Sequence, residues 1–341
     1  MELDVLIVGQ GLAGTVLSET LAARGLRVML FDAPREGRAS WVAAGAVNPI
    51  VLRRTVATWR ASEMLAVSGA FYREMEQRHD AHFWHPLPVV ELFATPQDAG
   101  IWRLRSREPE LGRLLTNGPV EDPGLARLPQ PYGHGVVPRS AWLDMQRMLS
   151  THRSHWVQQG CLVEREVALS DVQEGTDGVS IGTHHAHVLI WCVGPFAITP
   201  GLVPVRGEGL TVRMPGLGLK SIVHRGVFVV PLGQDRYRVG ATFAWDDVWS
   251  GPTEEGQRYL LDRLARLWSG PVEVLEHWAG VRPTARDRRP ILGRTSAHQA
   301  VFNGLGSRGA MLAPWCAAHL ADHLFAGRPL DAEVDVARFT A

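Results

Sequence analysis

From Asp4 to Val8 the chain runs DVLIV, apolar and β-branched without alternation, the pattern of a strand buried on both faces. GQGLAG follows, Gly9 to Gly14, then an Ala- and Leu-rich stretch with helical spacing to about Arg24, stopped by Gly25. RVMLFD reads as a second buried strand ending on Asp32, so the first ~30 residues form one βαβ unit. Trp59, Met64, Leu65, Ala70, Phe71 and Met75 recur at helical spacing and predict a long amphipathic helix from about Thr58 to His79. PLPVVELFAT reads as a strand, a charged helix follows near 97–107, and residues 108–135 are rich in Gly and Pro and read as loops. GVVPRSAWLDMQRML sets a proline and a serine before a helix, and HVLIWCVG, His187 to Gly194, is another buried strand.

Between Val205 and Leu275 the pattern changes. GLTVRM, SIVHRGVFVVPLG and RYRVGATF are short strands with turns between them, which predicts an antiparallel sheet, and a helix fills Thr253 to Trp268. The last part, AVFNGLGSRGAMLAPWCAAHLADHLF, is a strand, a glycine loop and a helix to about Phe325. The reading is an α/β protein with parallel βα units at both ends and in the middle, meander-like segments between them, and no internal repeat.

Length and composition narrow this. At 341 residues two lobes are expected, and 45% apolar with 21% charged residues is globular. Lys+Arg and Asp+Glu balance at 35 each, so there is no global field to hold nucleic acid or an anionic membrane. Cys161, Cys192 and Cys316 lie far apart with no CxxC pair, which suits a reducing compartment. No apolar run reaches the ~20 residues of a membrane span. MELDVLIVG has acids where a signal peptide has bases, so a cytoplasmic location is expected. Most of the twelve tryptophans read as core, with some available to line a pocket.

The chemistry begins at the glycines. Gly9 permits a tight turn, Gly11 lets a phosphate approach the backbone, and Gly14 lets helix pack on strand. The helix that Leu12 and Ala13 open then offers free N–H groups and a positive dipole end to a pyrophosphate. Asp32 falls 18 residues after Gly14, where a carboxylate meets a ribose hydroxyl, with Ala33 beside it. This predicts dinucleotide binding without choosing between FAD and NAD. SWVAAGAVNPI reads equally as a second close approach of backbone to cofactor and as an ordinary loop. THHAH, with His184, His185 and His187, reads as a turn and strand edge rather than a metal site, and no metal is expected. Cys316 reads as core, Arg206 in PVRGE as structural, and His224 and Tyr237 have no assigned role. WAGVRPTARDRRPILG, Trp278 to Gly293, sets five Arg or Asp among apolar residues, and it carries Arg282 inward without showing its partner.

Four stretches, VLIVGQGLAG, HVLIWCVG, VGATFAWDD followed by WAGVRPTARDRRPILG, and NGLGSRGAMLAP, resemble in order and spacing the FAD-dependent D-amino-acid oxidase and glycine oxidase family. That family also holds the sarcosine oxidases and the oxidase domain of a bacterial tRNA-wobble-uridine modification enzyme. The resemblance spans nearly the whole chain. It implies a two-lobed fold, with a glutathione-reductase-like Rossmann FAD domain assembled from 1–78, 132–204 and 276–341, and an antiparallel-sheet substrate domain from 79–131 and 205–275. It implies that Ala44, Gly45, Ala46, Val47 and Gly194 contact FAD. Gly304, Gly306, Ser307, Arg308, Gly309 and Ala310 would do so from the last loop, whose N–H groups face the charge of reduced flavin.

For the substrate, the resemblance implies that Arg282 forks onto a carboxylate, the alternative being an ion pair with Asp287. Phe228 stands where glycine oxidase has a carboxylate-binding tyrosine, and Phe243 where it has a pocket-lining methionine, so the pocket is more apolar and glycine itself a poor fit. Arg308 either adds a positive charge or reaches the substrate, or is a solvated loop residue. Val42 and a cysteine-free GVRPTARDRRPILG stand where covalent members attach flavin, so FAD is expected to be noncovalent. The implied activity is oxidation of the C–N bond of a small amine or amino acid, by hydride transfer to flavin N5, with no protein acid or base demanded once the amine is neutral. Oxygen and a quinone both remain open as acceptor. GLGSRG is closer to the tRNA-modifying domain, which acts on a carboxymethylamino group, but a neutral chain makes nucleic-acid binding weak. The competing classes are an NAD(P)-dependent dehydrogenase and a non-catalytic dinucleotide-binding protein.

Overall fold

The computed structural model describes residues 3–340. Leu3–Val8, Val28–Asp32, Leu162–Glu164, His184–Trp191 and Gln299–Asn303 form the parallel part of an eight-stranded sheet, with Leu3–Val8 at its centre. Two antiparallel additions sit on the side of His184–Trp191 away from Leu3–Val8: the hairpin Val172–Glu174 with Val179–Ile181 along its first residues, and Ile291–Arg294, through Gln299–Asn303, along its last. The unalternating apolar runs have the predicted cause. Leu6, Ile7, Leu30 and Ile190 have no exposed surface, because the Leu12–Ala23 and Gly309–Ala326 helices pack on one side and the Val179–Ile181 hairpin closes the other. Each such side chain contributes about 1.5–3 kcal/mol by its burial.

The second sheet has seven strands in the order Glu273–Ala285, Leu202–Arg213, Arg236–Gly240, Phe228–Gly233, Ile222–His224, Val89–Leu92 and His134–Val137. It is antiparallel except where Ile222–His224 runs parallel to Val89–Leu92. The predicted helices occur at Ala61–His79, Pro96–Arg105 and Glu254–Ala265. One start differs. Pro138 and Ser140 do not open a helix; Ala141–Leu143 is a strand paired with Ala46–Val47 and Trp84–Pro86, and the helix is Met145–Gln158. Strand pairing of Ala141–Leu143 decides this, and the helix then opens at Asp144, whose carboxylate accepts the Arg147 N–H at 3.1 Å.

Beneath the first helix lies a buried polar network that no periodicity announces. Glu19 accepts from His79 Nε2 at 2.8 Å, Arg78 Nε at 3.2 Å and Trp156 Nε1 at 3.1 Å. His152, fully buried, meets Ser18 Oγ at 2.9 Å and the Gln10 amide at 3.2 Å. Ser18 already donates to the Thr15 carbonyl, so His152 Nε2 carries the proton and Nδ1 accepts. Burial alone would raise the Glu19 carboxyl, but the His79 and Trp156 hydrogen bonds and neighbouring histidines outweigh it and hold it at about 2. Burial pushes the His152 imidazole down to about 3.

These shifts fix the sign of the acid response. An unfolded His152 takes up a proton near its ordinary value of 6.5, whereas the folded one waits until about 3, so between those values acid favours unfolding. One such proton is worth about 1.4 kcal/mol per pH unit. His152→Gln keeps a donor and an acceptor but cannot titrate. Urea unfolding between pH 4 and 6 is expected to show a pH slope about 1.4 kcal/mol per unit shallower in this variant. The Glu19 contribution, which is lost only as pH falls below 4.5 toward about 2, should remain. An unchanged slope between pH 4 and 6 would show that His152 is not neutral in the folded protein.

Candidate active site

One cavity of about 1410 Å³ runs between the two sheets. Single-ligand pockets span about 300–1,000 Å³, so this one has room for a large cofactor with a substrate beside it. At one end is the first glycine turn. Gly9 sits at φ +102 and donates its N–H to the Phe31 carbonyl at 2.7 Å. Gly11, Leu12 and Ala13 line the wall, and the helix they open has no side-chain cap and no acid in its first turn. Its exposed N–H groups and dipole therefore face the cavity, with only Leu12 N–H taken, by Ser40 Oγ at 3.0 Å.

Asp32 and Ala33 lie on the same wall. Asp32 is a node: one oxygen accepts the Gln10 N–H at 2.9 Å, the other accepts Arg38 at 3.2 Å and Arg153 at 2.8 Å. Arg38, Arg153 and Ser40 were not singled out in the sequence. Their signal is tertiary, because nothing in the spacing of EGRAS or MLSTHRS shows that both arginines converge on a residue in another strand. Farther along, Ala44, Gly45 and Ala46 line the cavity, with Gly45 at φ +77 pressed against the Leu143 carbonyl. Gly194 lines it at φ +58, and so do Gly304, Gly306, Ser307, Arg308, Gly309 and Ala310. The helix starting at Gly309 is, like the first, without a side-chain cap or an acid in its first turn. Two uncapped helix starts on one cavity fit a cofactor with a pyrophosphate and an anionic reduced ring.

Two predicted contacts are not on this wall. Val47 is 1% exposed and belongs to the core behind the loop. Gly14 stands under the turn, where an added Cβ would lie 1.9 Å from the Gly9 carbonyl oxygen.

The second sheet supplies the other wall through His224, Phe228, Gly240, Val205, Gly207 and Arg282. Arg282 has no carboxylate within ion-pair distance among the described residues. Asp287 pairs with Arg338 at 2.8 Å instead. The Arg282 guanidinium donates to the Thr242 carbonyl at 3.1 Å and weakly to that of Arg206 at 3.4 Å. It lies flat against Gly207, where any Cβ would collide at 1.8 Å, and 4.5 Å from the Phe243 ring centre. Burial pushes its pKa down to about 10. Arg308 is also held near 10, by burial and then by Arg288 and Arg54, and donates to the Asn48 carbonyl at 3.1 Å. It is therefore tied to the cavity wall and not a freely solvated loop residue. Arg206 is structural, gripping the Asp247 carbonyl at 2.9 Å and lying 3.4 Å from Glu208. Ten arginines line the cavity against two acids, Asp32 and Glu166. The balanced net charge of the chain conceals this concentration.

The Gly14 contact gives a direct test. A Cβ at 1.9 Å from a backbone oxygen must move the turn, since neither partner is a flexible side chain. Gly14→Ala is expected to weaken cofactor binding at least tenfold, about 1.4 kcal/mol or more, read by fluorescence of released flavin on dilution. Retention equal to the parent would show that the turn does not set cofactor affinity.

Comparison with known proteins agrees with this geometry. Among curated proteins, the tRNA 5-methylaminomethyl-2-thiouridine biosynthesis bifunctional protein MnmC of Marinobacter nauticus is 27% identical over 355 residues, covering 94% of this chain and 55% of its own length. A glycine oxidase of Pseudomonas aeruginosa is 23% identical over 359 residues, covering 95% of each. The chain spans about half the length of the first-ranked curated relatives it matches. Among solved structures, glycine oxidase from Geobacillus kaustophilus superposes with a TM-score of 0.78 at 23% identity, covering 99% of this chain and 98% of that one. Iminodiacetate oxidase from Chelativorans sp. BNC1 gives 0.78 at 20%, covering 98% of each. The model of the FAD dependent oxidoreductase family, DAO, matches residues 4–323, and the chain belongs to that family.

Proposed function

We propose that this flavoenzyme oxidises a C–N bond of a small amine or amino acid bearing a carboxylate. The observation that carries this reading is Arg282, a guanidinium on the cavity wall with two carbonyls and an aromatic face around it and no counter-charge. A substrate carboxylate is the anion that would complete it, and the planar fork suits two-point binding. Bound FAD supplies the hydride acceptor at N5. The chain's own residues hold the substrate: Arg282 fixes the carboxylate, Phe228 and Phe243 keep the surroundings apolar, and the Gly306–Gly309 N–H groups stabilise negative charge. Phe228 offers no hydroxyl, so an N-substituted or larger amino acid fits better than glycine. The names of the neighbours, glycine oxidase and iminodiacetate oxidase, support amine oxidation. Noncovalent FAD is supported by the wall itself, where Cys192 is the one cysteine among the described lining residues and lies against Gly9 with its thiol pushed up by burial. Three unpaired cysteines support a reducing, cytoplasmic setting. No helix among the described residues is long and apolar enough to cross a membrane.

A second reading has its own support at the cavity mouth. Phe243 and Trp245 are 55% and 60% exposed, with ring centres 6.5 Å apart and nearly parallel. Arg54 and Arg288 also line the cavity, exposed and without an ion-pair partner among the described residues. Aromatic faces and unpaired cations suit a carboxymethylamino group borne on a nucleoside of RNA, stacking being worth about 1–3 kcal/mol per base. In this reading the local excess of arginine overrides the neutral total.

For the first reading, Arg282→Ala is expected to keep a normal flavin spectrum yet lose about 30- to several-thousand-fold in kcat/KM for carboxylate-bearing amines, from about 2–5 kcal/mol of lost interaction. Arg282→Lys should recover only part, decarboxylated analogues should change little, and acid precipitation should leave the yellow colour in the supernatant. Equal losses for both substrate types in a folded yellow protein would remove the carboxylate assignment. For the second, Trp245→Ala should slow turnover of an RNA-borne carboxymethylamino group about tenfold or more while sparing the free amine. If no RNA-borne amine is oxidised by the parent enzyme, the first reading stands alone.

A further inference from the structure

We propose that His224, held by Glu91, is the base that takes the proton from the substrate's ammonium group and so delivers the neutral amine for oxidation. This rests on the amine-oxidation reading above. His224 lies on the cavity wall, its ring centre 4.5 Å from that of Phe228 with the two planes tilted by 50°. Its Nδ1 is 2.5 Å from Glu91 Oε2, and both side chains are mostly buried, 14% and 17% exposed. The two residues are register partners in the one parallel pairing of the second sheet, so their side chains leave the same face. That face is the one toward the cofactor loop: Ile222, two residues before His224, packs in the apolar cluster that takes in Ala44, Ala46 and Phe228.

The orientation follows from donor and acceptor roles. An ionised carboxylate only accepts, so Nδ1 carries the ring proton. Nε2 then holds a bare lone pair in the neutral ring, and no described residue occupies it. A carboxylate on Nδ1 both fixes this tautomer and offsets the charge that appears when Nε2 is protonated. No other charged group interferes from the packed strands. Phe228–Gly233 carries none, Glu91 is alone on Val89–Leu92, and Arg225 turns its guanidinium to the Arg266 carbonyl at 3.4 Å.

The need is chemical. At neutral pH an amino acid arrives with a protonated nitrogen, whose lone pair is not free to assist departure of hydride from the adjacent carbon. In the step proposed, one N–H bond breaks, its electron pair stays on nitrogen, and the proton forms a bond to Nε2. FAD, when bound, would accept the hydride of the adjacent C–H bond, which would leave an iminium, and the imidazolium would release its proton to water. Carbon is oxidised and flavin reduced by two electrons, and His224 is unchanged overall. His224 is the catalytic residue here and Glu91 the positioning residue.

The test is anaerobic stopped-flow reduction of the FAD-loaded enzyme from pH 6 to 10, with glycine, sarcosine and iminodiacetate as probes. His224→Gln is expected to be slowed about 100-fold or more at pH 7. Its rate should climb about tenfold per pH unit as free amine accumulates, reaching within about threefold of the parent near pH 10. Glu91→Gln should fall between the two, with its acid limb displaced. Independently of turnover, ¹⁵N NMR of the resting enzyme at pH 8 should show His224 protonated at Nδ1 only, and Glu91→Gln should mix the tautomers. Equal slowing at pH 7 and 10, no slowing, or an Nε2–H tautomer would overturn the assignment. If no probe reduces the parent flavin, the amine-oxidation reading itself fails and this role falls with it, an outcome distinct from a flat pH comparison.

Discussion

The guanidinium of Arg282 is largely desolvated and has no counter-ion among the described residues, and the neighbouring strands are arranged around that charge. Desolvating an arginine costs far more than one ordinary hydrogen bond returns, so the site has to accommodate it from several directions. Gly207, on the paired strand, leaves a flat surface where any side chain would collide with the guanidinium. The Thr242 and Arg206 carbonyls supply partial negative charge, and the Phe243 ring covers a face. These contacts solvate the cation without neutralising it. A cation left in this condition keeps a favourable interaction with any anion that enters the cavity.

The segment that carries Phe243 is itself held by a second buried group. Glu208 is 1% exposed, caps the start of Glu254–Ala265 through Thr253, and meets His277 at 3.0 Å. Its backbone exchanges hydrogen bonds with Thr242, and Arg206 clamps the Ala244 and Asp247 backbone on the other side. The aromatic mouth is therefore positioned by polar groups beneath it, while the rings remain exposed. The same division recurs in the first lobe, where Glu19, Ser18, His152 and Gln10 form a chain of contacts ending at Asp32 on the cavity. In both lobes apolar burial stabilises the sheets, and buried polar groups set the exact-fit loops between them.

The elements were legible wherever a local rule sufficed. Val5, Leu6 and Ile7 are apolar without alternation because they face helices on one side and sheet neighbours on the other, and that pattern survives in the letters. The glycines at 9 and 14 were legible because a positive φ at Gly9 and a backbone oxygen pressed against Gly14 exclude other residues. The helix start after Ser140 was misread because Pro138 and Ser140 look like a helix opening, and only pairing of Ala141–Leu143 with strands far away in sequence moved the start to Asp144. The family resemblance implied a cofactor contact for Val47 along with Ala44 and Ala46, but alternation along a strand turns Val47 to the core.

The sequence by itself determined the dinucleotide turn, the two classes of sheet and the family, because each rests on residues near one another or on motif order. It also determined that Arg282 is carried inward. Tertiary structure decided what surrounds that arginine, that Asp287 serves Arg338, that Arg38 and Arg153 converge on Asp32, and that His224 meets Glu91. These are pairings across 6 to 133 residues of chain, and all but one span more than 50. Spacing cannot reveal them, since which side chains share a desolvated volume is fixed only when the sheets close and water leaves.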